Sequence, residues 1–136
     1  MKIAQVINSN SWGDIGPDSF KKGIGGREGA LVRLASEWAS LGHEVTNFVS
    51  TGGSQRFPAS PPRPMGHPRN PDATPAFYAP WSKGFHEYVP TNLAKPMLRA
   101  FPYDAVVAWE CPSVYNDEQI QEQQKVRFVH MQVAHL

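Results

Sequence analysis

The chain has 136 residues, enough for one modest domain and too few for two. A hydrophobic fraction of 40% marks it as globular, and a formal charge of +1 excludes a dedicated nucleic-acid binder or an acidic tail. The single cysteine, Cys111, cannot form an internal disulfide, and no apolar run approaches the ~20 residues of a membrane span.

The first apolar run, residues 3–7, is short and has no small-residue cleavage site behind it. It reads as a strand buried on both faces and not as a signal-peptide core, which makes the cytoplasm the expected compartment. Residues 8–23 read as a long polar loop containing glycine. Gly25-Gly26-Arg27-Glu28-Gly29 then opens a helix, in which Leu31, Leu34, Ala35, Trp38 and Leu41 recur at three- and four-residue spacing. Gly42 suits the left-handed position that closes such a helix. Residues 45–49 are β-branched and aromatic and form the second strand, ended by Gly52-Gly53. Strand, helix and strand in this order make a βαβ unit with parallel strands and a right-handed crossover.

Eight of the thirteen prolines fall in residues 57–80: Pro58, Pro61, Pro62, Pro64, Pro68, Pro71, Pro75 and Pro80. Proline lacks a backbone donor, so this stretch is expected to be an irregular surface insertion, without helix or central strand. Residues 84–89 read as a short strand. Residues 91–101 read as a helix that begins near Lys95, with Pro96 in its first turn. Residues 104–109 are a strand, 116–124 an exposed short helix and 126–129 the last strand. The chain stops at Leu136 with no helix over that strand, so a partner domain is expected to complete the fold. The expected fold is a single α/β domain over residues 1–136, a Rossmann-like, open, mainly parallel sheet with helices on both faces.

A glycine loop between a buried strand and a helix either allows a tight turn or brings backbone N–H groups to a phosphate at the helix N-terminus. A dinucleotide-binding fingerprint is not met, because Gly23, Gly25 and then Glu28 occupy its three positions. The second strand also ends in Phe48-Val49-Ser50-Thr51, without the acid that holds a ribose hydroxyl. The phosphate loop of NTPases fails too, since no Gly-Lys-Ser/Thr occurs.

The order of first strand, long loop, Gly25-Gly26, helix, Leu41-Gly42-His43-Glu44-Val45-Thr46 and second strand resembles the opening of GT-B glycosyltransferases of the family-4 type. Asp104-Ala105-Val106-Val107-Ala108-Trp109-Glu110-Cys111-Pro112 resembles a later strand of that family, with Trp109 in place of its second histidine. Val126-Arg127-Phe128-Val129-His130 resembles the strand that commonly ends in a cleft-facing histidine. The resemblance covers the first fifty residues and the last thirty or so, and leaves the proline-rich middle unmatched. It implies the N-terminal, acceptor-side half of a GT-B fold, an incomplete half whose donor-binding C-terminal domain is not among these residues. It further implies transfer of a sugar from a nucleotide-diphosphate-sugar to an acceptor hydroxyl with retention. The chain alone would be inactive and would need that domain or a second subunit. Neither a metal nor another cofactor is implied. There is no transmembrane segment, and peripheral membrane contact is compatible with the reading.

Each candidate residue also carries a plainer reading. Gly25 and Gly26 approach the donor diphosphate by resemblance, or serve only as a turn. Arg27 reaches a phosphate or is solvated, and Glu28 favours the helix dipole in either case. His130 orients hydroxyls or moves a proton in the cleft, or is a core histidine. Glu110 binds an acceptor hydroxyl, or caps the helix that begins near Ser113. Trp12, in the first loop, stacks on a sugar. A non-catalytic binding or assembly module that keeps the acceptor-side fold is the alternative for the whole chain.

Overall fold

A computed structural model describes residues 1–8, 14–22, 26–59, 83–124 and 128–131, without the side chains of residues 20–22 and 128–131. Six strands, β1 (Lys2–Ile7), β2 (Glu44–Val49), β3 (Gln55–Pro58), β4 (Phe85–Pro90), β5 (Ala105–Trp109) and β6 (Phe128–Met131), form one sheet in the order β3-β4-β2-β1-β5-β6. All neighbouring pairs are parallel except β3 with β4. Among the described residues four α-helices accompany them: α1 (Gly26–Ser40), α2 (Ala94–Ala100), α3 (Pro112–Tyr115) and α4 (Glu118–Gln123).

The chain lays β2 and β4 on one side of β1 and β5 and β6 on the other. The direction of winding therefore reverses between β1 and β5, where open α/β sheets leave a crevice beyond the carboxyl ends of their strands.

The central strands are buried on both faces, as a parallel sheet requires. On one face Ile7, Val49, Tyr88 and Trp109 pack with Leu31 and Val32 of α1. On the other, Ala4, Val6, Phe48, Val106 and Ala108 pack with Ala94 and Leu98 of α2, Val114 of α3 and Ile120 of α4. The helices on both faces and the mostly parallel α/β sheet agree with the expected fold class.

The buried Gln5 side chain is fully satisfied. Gln5 Nε2 donates to Asn47 Oδ1 at 2.9 Å and to the Leu31 carbonyl of α1 at 3.0 Å, while Gln5 Oε1 accepts from Trp109 Nε1 at 2.8 Å. This chain ties β2, β1 and β5 to α1 and avoids the penalty of an unpaired buried amide.

Helix α1 ends in a Schellman closure. Gly42 N donates to the Ala39 carbonyl and His43 N to the Trp38 carbonyl, at 2.9 and 3.1 Å, and Gly42 has a φ of 96°. Gly84 lies against this end so closely that a Cβ would sit 1.9 Å from the Ala39 carbonyl oxygen, so only glycine fits there. At the end of α2, buried Gln124 donates to the Leu98 and Phe101 carbonyls, both at 2.6 Å, and accepts from Tyr103 N at 2.8 Å. One side chain thus satisfies carbonyls that the helix end leaves unpaired.

Several expected boundaries are corrected. The first loop contains a 3-10 helix at Pro17–Lys22. Leu41 is not on the apolar face of α1: it falls past the helix end and is 73% exposed. Phe57 and Pro58, expected to be irregular, belong to β3, where an edge strand tolerates proline. The rest of the proline-rich stretch lies outside the described residues. Helix α2 begins at Ala94, with Pro96 in its first turn, and a 3-10 turn at Thr91–Leu93 precedes it. The helix expected over 116–124 is α4, Glu118–Gln123, which Asp117 caps by accepting from Ile120 N at 3.0 Å; a separate short helix, α3, precedes it at Pro112–Tyr115. The described last strand covers 128–131, and Val126 and Arg127 lie outside the described residues.

Candidate functional site at the strand switch point

Three chain segments meet where the sheet changes direction. They are the end of β1 at Asn8, the first turn of α1, and the residue after β5, Glu110. Arg27 joins them. Its Nη1 donates to Glu110 Oε2 at 2.7 Å and its Nη2 to the Asn8 carbonyl at 3.3 Å, and Nη2 lies 3.5 Å from Glu28 Oε1. The Arg27 and Glu110 side chains are about a quarter exposed or less, and Glu28 is 7% exposed. In this partly dry setting a short charge-assisted bond is worth about 1.5–3 kcal/mol.

Glu110 has a φ of 48°, in the left-handed region that favours glycine, and turns the chain from β5 toward α3. Such a conformation costs a non-glycine residue of order 1 kcal/mol and persists only when its surroundings hold it. Arg27 is one such holder. Glu110 is not the N-cap residue of α3: that position is Cys111, whose side chain makes no capping hydrogen bond.

Gly26 is the first residue of α1, and a Cβ added there would meet nothing within 4 Å among the described residues. Neither packing nor a positive φ calls for glycine at this position. The N-terminus of the 15-residue helix contributes about half a positive charge. Against it stand one arginine and two carboxylates, and these three side chains sum to −1.

The structure therefore brings Arg27, Glu110 and Gly26 to one place. His130 is the third residue of β6, paired in register with Ala108, and its side chain lies outside the described residues. Trp12 and Gly25 also lie outside them. Trp109, which stands where the resemblance puts a histidine, is 2% exposed and turned under α1 onto Gln5, away from the crevice. Glu28 was read from sequence only as a dipole partner. Its place beside Arg27, three residues into the helix, was the available signal for the charge cluster. The Asn8 carbonyl had no signal at all, because a backbone acceptor carries none.

Among the described residues, no three His, Cys, Asp or Glu side chains are grouped as a metal site would need. Among the same residues, no helix is long and apolar enough to cross a membrane. No family model, curated protein or solved structure matches the chain.

Proposed function

We propose that this chain is the acceptor-side half of a GT-B type glycosyltransferase, which moves a sugar from a nucleotide-diphosphate-sugar to an acceptor hydroxyl at the crevice beyond β1 and β5. The observation that carries the reading is Glu110, held in a left-handed conformation at the strand switch point and clasped by Arg27 from the first turn of α1. An outlier of this kind at the mouth of an α/β crevice is where function is sought. In this reading Glu110 accepts a hydrogen bond from the acceptor hydroxyl, and Arg27 holds the carboxylate in place. Gly26 leaves room for the donor diphosphate beside the helix N-terminus, consistent with the open space around its Cα. Gly25, His130 and Trp12 keep the roles that the resemblance implies. The donor would be held mainly by a C-terminal GT-B domain or a second subunit, with no metal or other cofactor from this chain, in the cytoplasm or at a membrane surface.

The test is reconstitution. The chain is combined with donor-binding GT-B domains, and transfer from labelled nucleotide-diphosphate-sugars is followed. Gly26→Val is expected to melt as the parent does, since a Cβ there meets no neighbour among the described residues, and to abolish transfer. A folded Gly26→Val variant with parental rates removes the diphosphate role.

One observation favours a second reading, a non-catalytic binding or assembly module with the same fold. Arg27 is already engaged by Glu110 and Glu28, and these three side chains sum to −1, which disfavours a free diphosphate. Failure of every reconstituted pair to transfer sugar, with a stable complex still formed on gel filtration, selects that reading.

A further inference from the structure

At the opposite end of the strands, on the face that carries α2, lies a cleft of about 440 Å³. Its size falls in the usual range for small-molecule sites, about 300–1,000 Å³. It exists because α2 has only seven residues. The helix stops at Ala100, the chain turns away through Phe101 and Pro102, and one corner of the sheet is left beside them.

The floor of the cleft is set by strand register. Lys2, Glu44 and Phe85 are in-register neighbours across β1, β2 and β4; Thr46, Glu87 and Arg56 form the next row across β2, β4 and β3. Within the second row the polar groups are fixed. Thr46 Oγ1 donates to Glu87 Oε1 at 2.8 Å, and Arg56 donates to Glu87 Oε2 through Nε at 3.1 Å and Nη2 at 3.0 Å. The Arg56 guanidinium lies 4.1 Å from the centre of the Phe85 ring, yet its side chain is 62% exposed. It is thus oriented by two neighbours, with Nη1 outside the Glu87 contact. In the first row, the Lys2 and Glu44 side chains have no hydrogen-bond or ion-pair partner among the described residues. The wall is apolar, made by Met97, Phe101 and Tyr103, and Phe101 is 56% exposed. Burial, and then the charge of Glu87, raises the Tyr103 pKa, so its hydroxyl stays protonated at neutral pH.

The four charges, Lys2 and Arg56 against Glu44 and Glu87, sum to zero. An ion of one sign gains little from such a site. A molecule with both signs and an apolar body matches all of it. We propose that this cleft binds a small zwitterion of the α-amino-acid class with an apolar side chain. Its ammonium sits on Glu44, its carboxylate on Lys2 and Nη1 of Arg56, and its side chain against Met97, Phe101 and Tyr103. The cleft and the switch-point crevice lie at opposite ends of the strands, so neither proposal depends on the other.

The experiment is an amide chemical-shift titration of the isotope-labelled full chain with L-phenylalanine. Saturable shifts are expected at Glu44, Phe85, Met97 and Tyr103. L-Phenylalaninamide, which lacks the carboxylate, and N-acetyl-L-phenylalanine, which lacks the ammonium, are each expected to bind roughly tenfold more weakly or worse. Glu44→Gln should weaken L-phenylalanine by a similar factor and leave the N-acetyl compound unchanged. Met97→Trp should fill the cleft and abolish the shifts. If that variant does not fold, Glu44→Gln alone decides, since Glu44 is only half-buried at the start of its strand. The proposal is overturned by the absence of saturation at millimolar ligand, by shifts centred on Arg27 and Glu110, or by equal binding of all three compounds.

Discussion

At the carboxyl end of the parallel strands, Arg27 is clasped by Glu110, Glu28 and the Asn8 carbonyl; at the amino end, Lys2 and Glu44 line a cleft with no side-chain partner among the described residues. The difference follows from burial. The Arg27, Glu28 and Glu110 side chains are 24%, 7% and 21% exposed, and charges so far out of water must find partners. At the amino end Lys2 is exposed and Glu44 half-buried, so solvent satisfies them and folding sets no demand. The carboxyl end has its binding groups locked together, and a ligand there has to compete with an internal ion pair. The amino end has one oriented arginine and two charges left open.

The first way to break this comparison is to remove its centre. Arg27→Met leaves Glu28 and Glu110 facing each other without their shared cation, and is expected to cost about 2–3 kcal/mol in a denaturant melt. The double variant Arg27→Met/Glu110→Gln should recover part of that loss, because one of the orphaned charges is gone. Lys2→Met and Glu44→Gln at the other end should each change stability by less than about 0.5 kcal/mol. Equal losses at both ends would show that burial does not separate them.

The elements on which this rests were unevenly legible. Strands β1, β2 and β5 and helix α1 announced themselves through apolar runs and helical spacing, because their buried faces are made of side chains. Gly42 was readable because a left-handed helix end selects glycine. The approach of Arg27 to Glu110 joins residues 83 positions apart, and no local pattern encodes it. The resemblance placed both residues at one crevice, but it assigned Arg27 to a phosphate and left it unconnected to Glu110. Strand β3 was hidden by Pro58, since the rule against proline in strands is weakest at an edge. The roles of Gln5 and Gln124 were invisible, because a glutamine that bonds buried backbone looks like any surface glutamine in sequence. The amino-end cleft is a product of where α2 stops, and residues 91–101 alone do not say which part of the sheet a seven-residue helix leaves bare.

A smaller effect sharpens the carboxyl end itself. Glu110→Ala removes the ion pair and keeps a side chain at a φ of 48°, whereas Glu110→Gly removes the pair and relieves the backbone. The glycine variant is expected to be more stable than the alanine variant by about 1 kcal/mol. Parity between them would mean that the backbone there relaxes once Arg27 lets go. The strain would then belong to the ion pair and not to the turn.

The smallest effect is read from pH, in the strand that also supplies Glu87. His86 points to the other face of β4. It is 4% exposed, with Nδ1 2.9 Å from the Tyr88 hydroxyl and its ring 5.6 Å from that of Phe57. Burial holds its pKa below the ordinary 6.5. The unfolded chain therefore takes up a proton near pH 6.5 that the native state still refuses. Stability is complete well above 6.5 and falls as pH drops through it, levelling only below the native pKa. Between pH 7.5 and 6.0 this one group can remove at most about 0.8 kcal/mol, the binding energy of one proton to an unfolded histidine over that interval. Thermal melts at the two values should show the loss in the parent and a smaller one in His86→Phe. A residual slope in the variant is expected from His43, whose pKa is also lowered, first by desolvation and then by the nearby amino terminus. An identical slope in parent and variant would mean that protonated His86 is accommodated in the native state, through the contacts with Tyr88 and Phe57 that hold β3 to β4. The edge of the sheet beside Arg56 would then be softer than its packing implies.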